Sequence, residues 1–147
     1  ARATMTYNHK GVFDWRTTRY RTYARLYVPK ASEFISAQGE REPVSISEEL
    51  GYMVFGTFAS IEPQTRGSLT FEFYLAPQIA TQINNGLYTI FVQKQAGTRA
   101  HGLTLNLDFG KKVIAAAPPE MAKEFGDTRY RAQMDLREDR GFAVRVR

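Results

Sequence analysis

The stretch Ser68-Leu69-Thr70-Phe71-Glu72-Phe73-Tyr74-Leu75 puts leucine or phenylalanine at every second position and a polar or amphipathic residue between each pair. Successive side chains of a strand point to opposite faces, so this pattern buries one face and wets the other. It reads as a half-buried antiparallel strand. The same alternation recurs in Leu103, Leu105, Leu107 and Phe109, separated by Thr104, Asn106 and Asp108. Residues 17–28 alternate Tyr20, Thr22, Ala24, Leu26 and Val28 with Arg19, Arg21, Tyr23, Arg25 and Tyr27, and Pro29, which cannot donate to a ladder, ends the run. Residues 52–61 are β-rich and lead through the turn-forming 62–67 into 68–75, which predicts a hairpin. Asn84-Asn85-Gly86 launches a strand over 87–93.

Near the end, Tyr130, Ala132, Met134 and Leu136 precede Phe142, Val144 and Val146, which predicts a terminal hairpin. Weaker strand signals lie at 1–7, 33–37 and 113–117, and short helical signals at 77–83 and 119–125. The stretch 38–49, rich in Glu and Ser with Pro43, favours no element. Eight to ten short strands with little helix between them predict an all-β fold. The expected form is a single antiparallel β-sandwich over 1–147, immunoglobulin/fibronectin-like or jelly-roll-like.

A chain of 147 residues that is 43% hydrophobic can bury a real core, and no repeat of fixed period or linker-like composition divides it. The absence of cysteine excludes disulfides, thiolate nucleophiles and thiolate metal sites. No apolar run reaches the roughly 18 residues of a membrane span, so no direct membrane insertion is expected. The formal charge is +5. Lys10, Arg16, Arg19, Arg21, Arg25 and Lys30 stand against Asp14 alone within 10–30, a local excess equal to that of the whole chain.

That basic stretch supplies the sharpest candidate site. Arg16, Arg19, Arg21, Tyr23, Arg25 and Tyr27 bring guanidinium groups and rings together as a nucleic-acid or anionic-glycan face would, although Arg and Tyr are also ordinary residues of a solvated strand. Trp15 is a candidate stacking platform or partner contact. As the lone tryptophan it is expected in the core or packed at an edge. His9 and His101 lack partners at metal-ligand or general-base spacing and read as loop histidines. Glu40, Glu42, Glu48 and Glu49 lack calcium-loop spacing and read as a solvated loop. Gly51 and Gly56 flank apolar strand residues, a setting for a bulge or a close backbone approach and not for a phosphate loop. No Gly-x-Ser-x-Gly elbow places a serine nucleophile. Catalytic residues, metal and cofactor are therefore all read as none. Strands running to both ends, marked by Met5 and Tyr7 and by Phe142, Val144 and Val146, are candidates for self-association by strand addition.

Tyr27-Val28-Pro29-Lys30, Phe34-Ile35-Ser36, Val54-Phe55-Gly56, Glu62-Pro63, Leu75-Ala76-Pro77 and Gln93-Lys94-Gln95-Ala96-Gly97-Thr98, followed by Leu136, Asp139-Arg140 and Phe142, form an ordered set. As a set they resemble the C-terminal β-rich part of the bacterial family catalogued as domain of unknown function 4012. Ala31 and Ala96 depart from its pattern, where glycine and proline are usual. The resemblance implies the outward-facing C-terminal fragment of a membrane-anchored envelope protein, with Ala1 marking a cut, and it carries over no catalytic residue. The expected role is a non-enzymatic structural or adhesive module, extracellular or in the bacterial envelope. Its expected partners are copies of itself or other envelope proteins, and self-association would build a fibre or layer. The rival readings are a binder of anionic glycan or nucleic acid, and an accessory domain of an enzyme whose site lies in an absent N-terminal part.

Overall fold

A computed structural model describes residues 1–97, 99–120 and 125–147. The all-β expectation holds: these residues form eleven strands, where the sequence suggests eight to ten, and one helix. The strands fall into four antiparallel sheets, and the chain divides into two compact units, Ala1–Pro77 and Gln78–Arg147.

The first unit contains β1 (Arg2–Asn8), β2 (Tyr20–Pro29), β3 (Glu33–Gln38), β4 (Ser45–Glu49), β5 (Tyr52–Ile61) and β6 (Arg66–Tyr74). They pair as β1-β6-β3 and β2-β5-β4. Leu69, Phe71 and Phe73 of β6 turn inward as their spacing requires, and meet Ala24, Val28, Phe55, Ala59 and Ile61 from the other sheet. Phe55 is 0% exposed. Its ring centroid lies 5.4 Å from that of Phe34 and 5.9 Å from that of Phe73, so aromatic contacts join the two sheets.

The hairpin predicted from 52–61 into 68–75 is not formed: β5 pairs with β2 and β4, whereas β6 pairs with β1 and β3. A turn stands between them, with Thr65 donating its N–H and its hydroxyl to the Glu62 carbonyl at 3.3 and 2.7 Å. That turn carries the chain from one sheet to the other. Turn chemistry reveals where a chain bends and leaves open which strand it then pairs with. The stretch 38–49, for which the sequence favours no element, supplies β4, an edge strand paired only with β5.

The second unit contains α1 (Pro77–Asn84), β7 (Leu87–Val92), β8 (His101–Asp108), β9 (Val113–Ala117), β10 (Arg129–Leu136) and β11 (Arg140–Val146). Strands β7-β11-β9 form one sheet and β8-β10 another. Val113, Tyr130, Ala132, Phe142, Val144 and Val146 build their shared core, with Leu103, Leu105, Leu107 and Phe109 of the alternating stretch packed against it. The helix expected at 77–83 is α1. It stops where Gly86, at a φ of 85°, donates its N–H to the Ile83 carbonyl.

The terminal hairpin is likewise corrected. Strand β10 pairs with β8, and β11 is central, bonded to β7 and β9. Residues 121–124 of the helical signal at 119–125 lie outside the described residues.

The two units share one wiring plan. In each, the last strand runs between the first and the third, and the second strand pairs with the penultimate one. The first unit adds β4 beyond its penultimate strand.

Candidate functional site

Strand β2 delivers the basic and aromatic row as its alternation demands. Ala24 and Val28 point into the core, while Arg21, Tyr23, Arg25 and Tyr27 remain exposed. The register places Tyr23 opposite Phe58 and Arg25 opposite Gly56 of β5, and Gly56 faces Ser45 of β4 on the far side. Because Gly56 has no side chain, the Tyr23 phenol reaches across β5 to the Ser45 hydroxyl at 2.8 Å. A Cβ at position 56 would stand 2.5 Å from the phenol oxygen and 3.0 Å from Ser45 Oγ. The close-approach reading of Gly56 is thus the one the structure shows. Rings tile the rest of the face: Tyr23 meets Phe58 edge-on at 4.8 Å and Tyr27 meets Tyr52 at 6.4 Å, while the Arg21 and Arg25 guanidinium groups lie over Phe58 and Tyr27.

Most cations of this row are matched. Arg19 pairs with Glu62 at 3.1 Å, Arg21 with Glu42 at 3.5 Å, Lys30 with Glu48 at 2.9 Å, and Arg25 with Glu49. The acids read from the sequence as a solvated loop therefore belong largely to the face itself: Glu48 and Glu49 lie on β4, and Glu42 just ahead of it. Sequence separation hid this, since each base lies some 18 to 43 positions from its acid. Beside the face, a surface concavity of about 460 Å³ is lined by Arg19, Arg21, Arg41, Glu42, Ser60 and Glu62. Its alternating signs make it a set of internal ion pairs more than a cradle for anions.

The loop 9–19 behaves otherwise. Trp15 is 85% exposed, Phe13 62% and Val12 52%, so the core or edge position expected for Trp15 is overturned. The loop is fixed from within. Asp14 Oδ1 accepts the backbone N–H groups of Arg16 and Thr17 at 2.7 and 2.6 Å, and the Asp14 N–H reaches the Thr17 carbonyl at 3.0 Å. These backbone donors hold the Asp14 carboxyl below its ordinary pKa. His9 Nδ1 accepts the Gly11 N–H at 3.2 Å, leaving Nε2–H to donate to the Thr18 carbonyl at 2.9 Å. His9 is therefore a loop brace. The Arg16 guanidinium covers one face of Trp15 at 4.3 Å from the ring centroid.

His101 begins β8 opposite Leu136 of β10, and no group of three or more metal-ligating side chains gathers among the described residues. Met5 and Tyr7 lie half-buried on β1, which pairs only with β6 among the described residues. Phe142, Val144 and Val146 are core residues of a strand bonded on both edges, so β11 offers no ladder for strand addition.

One structural carboxylate escaped the sequence reading. Glu120, 4% exposed, accepts the Arg131 N–H of β10 at 2.7 Å through Oε1. No spacing signal marks it, because it is held across eleven positions by the Arg131 N–H and, at 3.8 Å, by the Arg131 guanidinium. No helix among the described residues is long and apolar enough to cross a membrane. No family model, curated protein or solved structure matches the chain.

Proposed function

We propose that the chain is a non-enzymatic contact module of a bacterial secreted or envelope protein, its paired sheets forming small β-sandwich bodies that present loops rigidly. The observation that carries this reading is the loop 9–19, whose Val12, Phe13 and Trp15 stand in solvent on a framework braced by Asp14 and His9. Exposed aromatic clusters are uncommon on isolated proteins and mark places of contact. The resemblance to the bacterial envelope family supports the cellular setting. Internal ion pairing weighs against the β2 face as a polyanion site, because a ligand would have to displace Glu42, Glu48 and Glu49. Within this reading, strand addition between copies belongs to β1 and not to β11.

The test is retention of the purified chain on an isolated bacterial cell-envelope fraction. Wild type should co-sediment with it, and the Phe13→Ser/Trp15→Ser variant, with an unchanged far-ultraviolet circular dichroism spectrum, should remain in the supernatant. Equal retention of both, or hydrolytic turnover by the isolated chain, would overturn the proposal.

A further inference from the structure

We infer that the loop 9–19 docks on an anionic lipid surface, with Phe13 and Trp15 seated at headgroup level. The inference rests on the contact-module reading and names the partner. Three observations select a bilayer.

The first is that the apolar groups stand outward. Phe13 and Trp15 are 62% and 85% exposed, and neither lines the concavity beside β2. A rigid ligand with its own relief needs a matching hollow, whereas a bilayer interface accepts protruding rings and is where tryptophan is enriched.

The second is charge. Lys10 is exposed and enters no ion pair among the described residues, and Arg16 lies against the Trp15 ring. The one acid of the loop, Asp14, keeps its charge while its Oδ1 accepts the Arg16 and Thr17 N–H groups, so residues 10–16 carry a net charge of +1. Rings and unpaired cations therefore sit within seven sequence positions, the combination that anionic headgroups attract. The β2 face, by contrast, has its cations matched by acids.

The third is the covered ring. With the Arg16 guanidinium 4.3 Å above one face of Trp15, that face is closed to a stacking sugar. Stacking on a glycan would be poorly anchored there. At a membrane the same arrangement sets the cation at phosphate depth and the indole just beneath.

Trp15 is the only tryptophan of the chain, so its fluorescence reports this loop alone. The experiment mixes the full chain with large vesicles of phosphatidylcholine, with and without phosphatidylglycerol, and follows emission and co-sedimentation. The expected result is a blue shift and sedimentation with the anionic vesicles only. Phe13→Ser should reduce both, and Lys10→Glu and Arg16→Glu should each weaken binding by about fivefold or more per charge removed.

Sedimentation unchanged in Phe13→Ser/Trp15→Ser would mean plain attraction of a +5 protein and would overturn the inference. Wild type that ignores the vesicles also overturns it. If envelope retention nevertheless depends on Trp15, the contact-module reading stands with a protein or glycan as its partner. If that retention is lost as well, both readings fall.

Discussion

At Gly56 a missing side chain determines what crosses the outer face of the first unit. The Tyr23 phenol occupies the space where a Cβ would lie, and its bond to Ser45 ties β2 to β4 over the top of β5. Gly56→Ala should push the phenol away and break that bond, at about 1 kcal/mol for a hydrogen bond of this kind. Thermal unfolding measures the loss. Adding Tyr23→Phe to Gly56→Ala should cost little more, and a fully additive double variant would show that the phenol had kept its partner. Asp14 acts on the same scale. Its carboxyl is held below the ordinary range by two backbone donors, so the bonds that order the loop exist above about pH 4 and disappear as pH falls through the lowered value. Asp14→Ala should produce that disordered loop at neutral pH, seen as faster hydrogen exchange of the Arg16 and Thr17 amides that the carboxylate holds. Trp15 itself shows where a single residue type misleads: a lone tryptophan usually finds a core, but Asp14 and His9 fold this loop with the ring outside.

Among the elements, β4 is the one whose role depends most on its neighbours. Every residue of Ser45–Glu49 is exposed or only half-buried, so the strand is held by its ladder to β5 and by the acids that meet the β2 cations. If those acids quiet the basic row, Glu42→Gln/Glu48→Gln/Glu49→Gln should raise retention on heparin more than a control triple variant such as Glu33→Gln/Glu40→Gln/Asp139→Asn of equal net charge. Elution at the same salt concentration would show that net charge alone governs binding.

Alternation identified β2, β6, β8, β10 and β11 because a half-buried strand must alternate. It missed β4, an edge strand with no buried face to enforce a pattern. Partners were less legible than faces. Both expected hairpins joined strands adjacent in sequence, whereas the units wire first to last and second to penultimate. For the candidate site, the Arg/Tyr row was visible in β2, but its neutralisation was not, since the acids are supplied across an intervening strand.

For the whole molecule, each unit carries its own core and its own set of depressed carboxyls. In Ala1–Pro77, Glu72 is lowered chiefly by the Arg2 guanidinium and Asp14 by backbone N–H groups; in Gln78–Arg147, Asp108 is lowered chiefly by the Gly110 N–H and Asp127 by the Arg129 N–H. A carboxyl whose folded pKa is depressed adds stability above its unfolded value, near 4, and that stability is lost as pH falls through the folded value. Stability should therefore be level between about pH 5 and pH 9, decline below about pH 4 in both units, and fall again above about pH 10, where the phenols of Tyr7, Tyr88 and Tyr130, raised by burial, ionise more readily in the unfolded chain. Separate cores make a further claim testable. Phe55 is fully buried between Phe34 and Phe73, and Phe55→Ala should cost about 3–5 kcal/mol by leaving a cavity between the two sheets of the first unit. Native-state hydrogen exchange resolves where that cost is felt. Amides of β5 and β6 should lose protection, while those of β10 and β11, which pack on Tyr130, Phe142 and Val144, should keep theirs. Equal loss across all four strands would mean that the two cores unfold as one cooperative body.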